Sequence, residues 1–291
     1  MLLFLFLIAA AIGCFLWMRF TFNKPVEHGA AAEIITIHPG MGPGGIVNRL
    51  ADAGIVRHPG AFKIYLRIMG RSGRLKAGDY KFDSPISPLE AIGKIERGEV
   101  YVERVTIPEG LDRFEISELL AARTGKASAE QFMLLTYATE LIEKIDPSAN
   151  NLEGYLFPDT YQFTTMTTPE DLIKAMVERF NDVFTPELAT RASQLGLSVH
   201  QVVTLASMIE EEARVPDERP RVASVFMNRL KRGMPLASDP TFIYAAKLAH
   251  DYDGNPNQPR HRRRDSRYNT YIYNGLPPGP ISSPGRASLE A

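Results

Sequence analysis

The sequence predicts an α+β protein: an N-terminal transmembrane helix, a small α+β module, and a larger, mainly helical domain with a few strands. Three observations lead there. Residues 2–18 (LLFLFLIAAAIGCFLWM) are an unbroken apolar run without charge, at the short end of the roughly 17–25 residues that cross a bilayer. Between residues 33 and 102, two short strand patterns flank amphipathic helix patterns. From residue 103 onward the apolar spacing is mostly helical. The 291 residues are 44% hydrophobic and 23% charged, with a formal net charge of -1. That is ordinary globular composition, long enough for one large domain or two smaller ones.

The apolar run is read as an uncleaved anchor. A signal peptide normally carries basic residues before its apolar core and a small-residue cleavage site just after it. Neither is present, and Ala30-Ala31-Ala32 lies too far downstream. Arg19 and Lys24 follow the run, which by the positive-inside rule would leave the body in the cytoplasm, but no charge precedes the run for comparison. Residues 19–32 read as a polar, Ala-rich linker. Ile35, Thr36 and Ile37 then look like a strand, followed by a Gly/Pro turn at residues 39–45. Ile46, Leu50 and Ile55 have helical spacing, "FKIYLRIMGR" supplies a second helix, and "LKAGDYKF" a second short strand. "SPLEAIGKIERGE" has a Ser87 cap, the trio Leu89, Ile92 and Ile95, and a Gly98 stop, the start and stop signals of a helix. Residues 33–102 resemble the LysM-like module that precedes the catalytic part of certain cell-wall enzymes.

In the second region, Val105 and Ile107 suggest a strand, and Pro108-Glu109-Gly110 a turn into a helix from Arg113 to Thr124. Helical patterns follow over residues 128–144 and 169–184, and another helix enters at Ser198 or Val199. "RPRVASVFMNRLKRG" and the shorter "PTFIYAAKL" complete the helical set.

Several function classes lack support. Near-neutral charge gives no sign of a nucleic-acid partner, and the basic cluster at residues 261–264 sits in a polar, loop-like stretch where a solvated or structural role is expected. The single Cys14 allows no intrachain disulfide. The six histidines are scattered without metal-ligand spacing, so no metal and no cofactor is expected. No Gly-x-Ser-x-Gly, phosphate loop or dinucleotide fingerprint appears.

Candidate chemistry begins at "TLASMIEEEARV", where an apolar helix ends in Glu210, Glu211 and Glu212. At about 100° per residue, Val202, Ala206, Ile209 and Ala213 define the buried stripe. Glu211 falls opposite, toward solvent. Glu210 and Glu212 flank the stripe, where partial desolvation suits a general acid working near neutral pH. Helical phase leaves both open. Asp159 in "YLFPDTYQF" and Asp239 in "ASDPTFIY" are candidate partner carboxylates, and Asp239 is read chiefly as a cap for the helix starting at Pro240. In the C-terminal third, Tyr268, Asn269, Tyr271 and their neighbours beside a Leu276-Pro277-Pro278-Gly279 turn offer aromatic faces with amide and hydroxyl donors. Such a set suits sugar rings, and an ordinary Tyr-rich strand with a Pro turn reads the same way.

Five segments, taken together, resemble the endolytic murein transglycosylases of the MltG (YceG-like) family. They are "EGYLFPDTYQF" (153–163), "LASMIEEEA" (205–213), "VASVFMNRL" (222–230), "GMPLASDPTFIY" (233–244) and "YNTYIYNGLPPGPISSPG" (268–285). The resemblance implies residues 103–291 as the catalytic domain of a single-pass inner-membrane lyase whose body is periplasmic. It implies cleavage of MurNAc–GlcNAc bonds in nascent glycan strands, leaving 1,6-anhydroMurNAc ends. It also implies Glu212 as the catalytic residue, the second glutamate of the family's Glu-x-Glu pattern, with Glu210 supporting. Asp159, Asn228, Asp239, Tyr268, Asn269 and Tyr271 are carried as supporting or substrate-binding positions. The implied partners are peptidoglycan glycan strands, the inner membrane and, as candidates, peptidoglycan synthases. The family pattern continues beyond Ala291, so a C-terminal truncation is expected. The alternative is a membrane-anchored peptidoglycan-binding scaffold without turnover.

Overall fold

Helix α1 (Leu2–Asn23) carries the apolar run five residues further than the sequence suggests. The reason is tertiary. Phe15, Met18 and Phe22 share one helix face at spacings of three and four, and that face is covered, with Met18 and Phe22 buried. The linker expected at residues 19–32 is therefore helical at its start. The computed structural model describes residues 1–213 and 215–291. It is a mostly helical α+β protein with small sheets, and it divides into two compact units.

The first unit comprises Met1–Glu103 with Gln162–Met166. After α1 come β1 (Ile35–Ile37), α2 (Pro43–Asp52), α3 (Pro59–Ile68), β2 (Gly78–Tyr80) and α4 (Pro88–Arg97). The strands pair antiparallel, Ile35 opposite Tyr80 and Ile37 opposite Gly78. Ile37, Leu50, Phe62, Tyr80, Phe82 and Ile92 fill the core. Helix α4 begins where the sequence signals it. The Ser87 hydroxyl accepts from the Glu90 amide while the Glu90 carboxylate accepts from the Ser87 amide, and Gly98 ends the helix at φ 72°. Each half of such a box satisfies an amide the helix cannot reach.

The second unit comprises Arg104–Tyr161 with Thr167–Ala291. Strands β3 (Glu103–Thr106) and β4 (Thr160–Phe163) pair with each other. The helices are α5 (Arg113–Thr124), α6 (Ala129–Leu135), α7 (Pro169–Val183), α8 (Pro186–Gln194) and α9 (Val199–Glu212). They continue with α10 (Arg219–Lys231), α11 (Asp239–Leu248), α12 (Pro259–Arg262) and α13 (Arg286–Glu290). Helix α9 is central, with α8, α10, α11 and α13 packed against it.

The structure differs from the sequence reading in three places. The helix expected over 128–144 stops at Leu135, where the Thr136 hydroxyl turns back onto the Met133 carbonyl at 2.7 Å, and a 3-10 turn follows at Thr139–Leu141. Helix α8 lies outside the sequence reading; it buries only Ala192. The predicted stripe on α9 is too narrow: Val203 through Ile209 are all buried, whereas Val202 and Ala213 are only partly so. A helix covered on every side has no single buried face.

Candidate active site at the end of helix α9

Helix α9 starts on a Ser198 capping box with Gln201. Along its length, the Ser207 hydroxyl accepts from the Ile281 amide at 3.0 Å, and the Ser282 hydroxyl donates to the Ser207 carbonyl at 3.2 Å. The Ile281–Ser282 stretch is thereby stitched to the helix. At its C-terminal end the three glutamates diverge.

Glu210 is fully engaged. One carboxylate oxygen accepts from Arg219 at 2.7 Å and the other from the Gly285 amide at 2.9 Å, with 6% of the side chain exposed. It holds the chain before α13 in place, with both carboxylate oxygens engaged. Glu211 is exposed, as its phase predicts. Its carboxyl, however, borders a cavity of about 340 Å³ shared with Glu109, Asp112, Glu115 and Lys247. Withdrawal from water and the nearby charge of Glu115 push it upward from the ordinary carboxylate range. Lys247 pulls the other way but is shared, donating to Asp112 at 2.6 Å and to Glu115 at 2.8 Å.

Glu212 faces elsewhere. It borders a separate cavity of about 420 Å³, with Arg221 and Arg229 on its wall and Val222, Phe226 and Leu236 as apolar lining. Its Oε1 accepts from the Ser238 hydroxyl at 2.6 Å. Among the described residues Glu212 makes no ion pair, and Oε2 has no hydrogen-bond partner.

The loop that supplies this hydroxyl is costly to build. Ser238 is the N-cap residue of α11, yet its side chain caps nothing, forgoing an interaction worth about 1 kcal/mol. Ala237 before it sits at φ 51°, in the left-handed region, which costs a side-chain-bearing residue about 1–2 kcal/mol. Buried hydrogen bonds hold both residues. The Ala237 amide donates to the Thr270 carbonyl at 3.1 Å, the Ser238 amide to the Thr270 hydroxyl at 3.1 Å, and the Thr241 hydroxyl to the Ser238 carbonyl at 2.6 Å. Local strain retained by such over-determination is a mark of functional sites.

The family model described as the YceG-like family matches residues 35–291. This chain belongs to the YceG-like family. The endolytic murein transglycosylase of Bacillus subtilis (strain 168) is 33% identical over 303 residues, covering 96% of this chain and 80% of that protein. The endolytic murein transglycosylase of Streptococcus pneumoniae serotype 2 is 31% identical over 268 residues, covering 83% of this chain, which spans only 48% of that longer relative. A crystal structure of a yceG-like protein from Listeria monocytogenes superposes with a TM-score of 0.57 at 29% identity, covering 88% of each chain.

The remaining candidate positions of this YceG-like chain separate into three groups. Tyr271 stands near Glu212: it lies within range of its charge, donates its hydroxyl to Asp239 at 2.6 Å, and carries the Arg262 guanidinium 4.1 Å over its ring. Asp239 is thus a partner of Tyr271, and the expected cap is corrected: the N-cap position of α11 is Ser238, and Asp239 is the first helical residue, its carboxylate accepting from the tyrosine. Asn269 and Tyr268 make contacts within the protein. Asn269 is fully buried, donating to the Arg262 and Arg264 carbonyls and accepting from the Tyr271 amide, so it sets the turn that presents Tyr271. Tyr268 packs on Tyr244 at 5.2 Å. Their stretch is a series of turns rather than a strand. Asp159 and Asn228 line neither cavity. Asp159 is ion-paired with Arg179 at 2.7 Å, and Asn228 is exposed on α10.

Two buried clusters were not anticipated. Glu153 is 2% exposed, accepts from the Arg113 amide and from the Tyr244 hydroxyl at 2.8 Å, and is pushed up to about 8 by burial and then by Asp112. A lone carboxyl inside the apolar run Leu152–Phe157 was its only sequence signal. The second cluster joins Tyr155, Asp146 and His200. Burial alone would raise Asp146, but hydrogen bonds from His200, Ser148 and Tyr155 hold it well below the usual range. His200 Nδ1 meets Asp146 at 2.7 Å and its Nε2 meets the Pro278 carbonyl at 2.8 Å. With both nitrogens occupied, this histidine has none to offer a nucleophile. It fixes the Pro277–Pro278 turn to the start of α9.

Proposed function

We propose that this protein is a membrane-anchored endolytic murein transglycosylase that cleaves MurNAc–GlcNAc bonds and uses Glu212 as its acid/base group. One observation separates the two glutamates that helical phase leaves open. Glu210 is locked to Arg219 and Gly285, whereas among the described residues Glu212 meets its cavity through a carboxyl held by one neutral hydroxyl. In this reading residues 2–18 cross the inner membrane, residues 33–102 form a LysM-like module, and residues 103–291 form the catalytic domain in the periplasm. Peptidoglycan synthases are candidate partners.

Ser238 holds Oε1 as an acceptor, so the transferable proton belongs on Oε2. Protonated Glu212 gives that proton to the glycosidic oxygen as the bond from muramic acid C1 breaks and positive charge develops at C1. The carboxylate then takes the proton of the same sugar's C6 hydroxyl while O6 bonds to C1. The 1,6-anhydro ring closes, and no water is consumed. Because the nucleophile is already within the substrate, a second catalytic carboxylate is unnecessary. The placement of Asp159 away from Glu212, and of Asp239 against Tyr271, is compatible with that economy. The apolar lining at Val222 and Phe226 suits an N-acetyl methyl or a sugar C–H face.

Mass spectrometry of products from purified glycan strands tests the reaction class. Transglycosylation yields fragments with anhydro ends and no added water. Fragments heavier by one water would replace the proposal with a two-carboxylate hydrolase, and binding without new ends would replace it with the scaffold reading. Ser238→Ala is expected to lower kcat about 10- to 100-fold, since misplacing a reacting group has effects of that order. KM should stay near the wild-type value, and Ser238→Thr, which keeps the hydroxyl, should retain most of the rate.

A further inference from the structure

We propose that α3 lies in the membrane interface beside α1, so that the first unit rests against the lipid surface instead of hanging from it on a free tether. The inference depends on the reading of α1 as a membrane span, and its basis is length and contact. From Leu2 to Phe15 a helix rises only about 20 Å at 1.5 Å per residue, about two thirds of a hydrocarbon core of roughly 30 Å. Yet the folded unit already begins at Phe15. Its ring stacks on Tyr65 of α3 at 5.8 Å, Phe22 meets Phe62 at 4.6 Å and Tyr65 at 5.6 Å, and Trp17 lies 5.7 Å from His58. If α1 spans the bilayer, its upper turns and the helix packed beside them fall within the outer part of the membrane.

The surface of α3 has the composition that depth requires. Phe62, Tyr65 and Leu66 point into the core, whereas Ile64 and Ile68, one turn apart, are 57% and 60% exposed. Arg67 is exposed between them, Lys63 is partly exposed, and Phe20 and Trp17 are exposed on the adjoining part of α1. Two isoleucines flanked by Lys63 and Arg67 on the outer face of a ten-residue helix fit a lipid interface: apolar side chains enter the acyl boundary while Lys and Arg meet anionic headgroups, and an indole favours the same level. The contacts between α1 and α3 hold this helix beside the span, so the partner is the bilayer in which α1 is embedded.

The test uses the full chain carrying Cys14→Ser, with one fluorophore attached at Ile68→Cys or, separately, at Ile8→Cys. Each protein is reconstituted in vesicles of phosphatidylethanolamine and phosphatidylglycerol. Quenching is read with lipids bearing a nitroxide at shallow or deep acyl positions and with aqueous iodide. The label at position 8 should respond to the deep nitroxide. The label at position 68 should respond to the shallow nitroxide and lose most of its iodide quenching. Free iodide quenching at 68 with no lipid response, while position 8 responds to lipid, would overturn the proposal. Protection from both quenchers would overturn it as well, since a protein partner would then cover the face. No lipid quenching at position 8 would remove the membrane span itself, and the inference with it.

Discussion

Glu212→Gln should abolish release of anhydro-ended fragments, a loss on the order of a thousandfold or more, while leaving the fold intact. General acid–base catalysis alone contributes about 10²–10⁴ in rate, and here one group serves both halves of the reaction. The amide is a near-isostere, and its oxygen can still accept the Ser238 hydroxyl bond that holds Oε1 at 2.6 Å. What it cannot do is give a proton to the glycosidic oxygen and take one back from the C6 hydroxyl. The expected result is therefore lost turnover with retained glycan binding and an unchanged thermal transition. Glu210→Gln should behave differently, because Arg219 and the Gly285 amide are held by its two carboxylate oxygens. It should lower the transition temperature. Full turnover by Glu212→Gln would end the assignment of this residue.

The contrast between those two glutamates marks how far the sequence could be read. Local signals were legible where local physics decides. The Ser87 cap and the Gly98 stop stand where the turn chemistry places them, and of the two entry residues left open for α9, Ser198 is the cap. Helical phase also set Glu211 apart from its neighbours. It could not separate Glu210 from Glu212, because their difference lies in partners remote in sequence: Gly285 is 75 residues from Glu210, and Ser238 is 26 from Glu212. The same limit hid the Asp146–His200 contact, which joins residues 54 apart. It also hid the contacts of Asn269, whose amide group donates to the Arg262 and Arg264 carbonyls and accepts from the Tyr271 amide. Side-chain type suggests what a residue can do. Only packing says what is left over for it to do.

Gly154→Ala is expected to destabilise the protein by about 2–5 kcal/mol, from two separable causes. Gly154 adopts φ +81°, where a side chain costs about 1–2 kcal/mol. An added Cβ would also lie 2.7 Å from two ring carbons of Pro280 and 2.8 Å from Val203 Cγ1, and forcing extra volume into a packed interior costs roughly 1–3 kcal/mol. Gly125 supplies the comparison: it has φ +61° with nothing within 4 Å of its Cβ position, so Gly125→Ala should show the backbone cost alone. The crowding at Gly154 bears on the active site because of what surrounds it. Val203 belongs to α9, and Pro280 directly precedes Ile281, whose amide binds the Ser207 hydroxyl on that helix. Pushing Pro280 outward strains the stitching of the C-terminal stretch to the helix that ends in Glu212. Calorimetry should show a larger drop in transition temperature for Gly154→Ala than for Gly125→Ala, with activity lost at temperatures the wild type tolerates. Equal drops would mean that the close approach of Gly154 to Pro280 and Val203 relaxes freely, and that this contact does not hold the end of α9 in place.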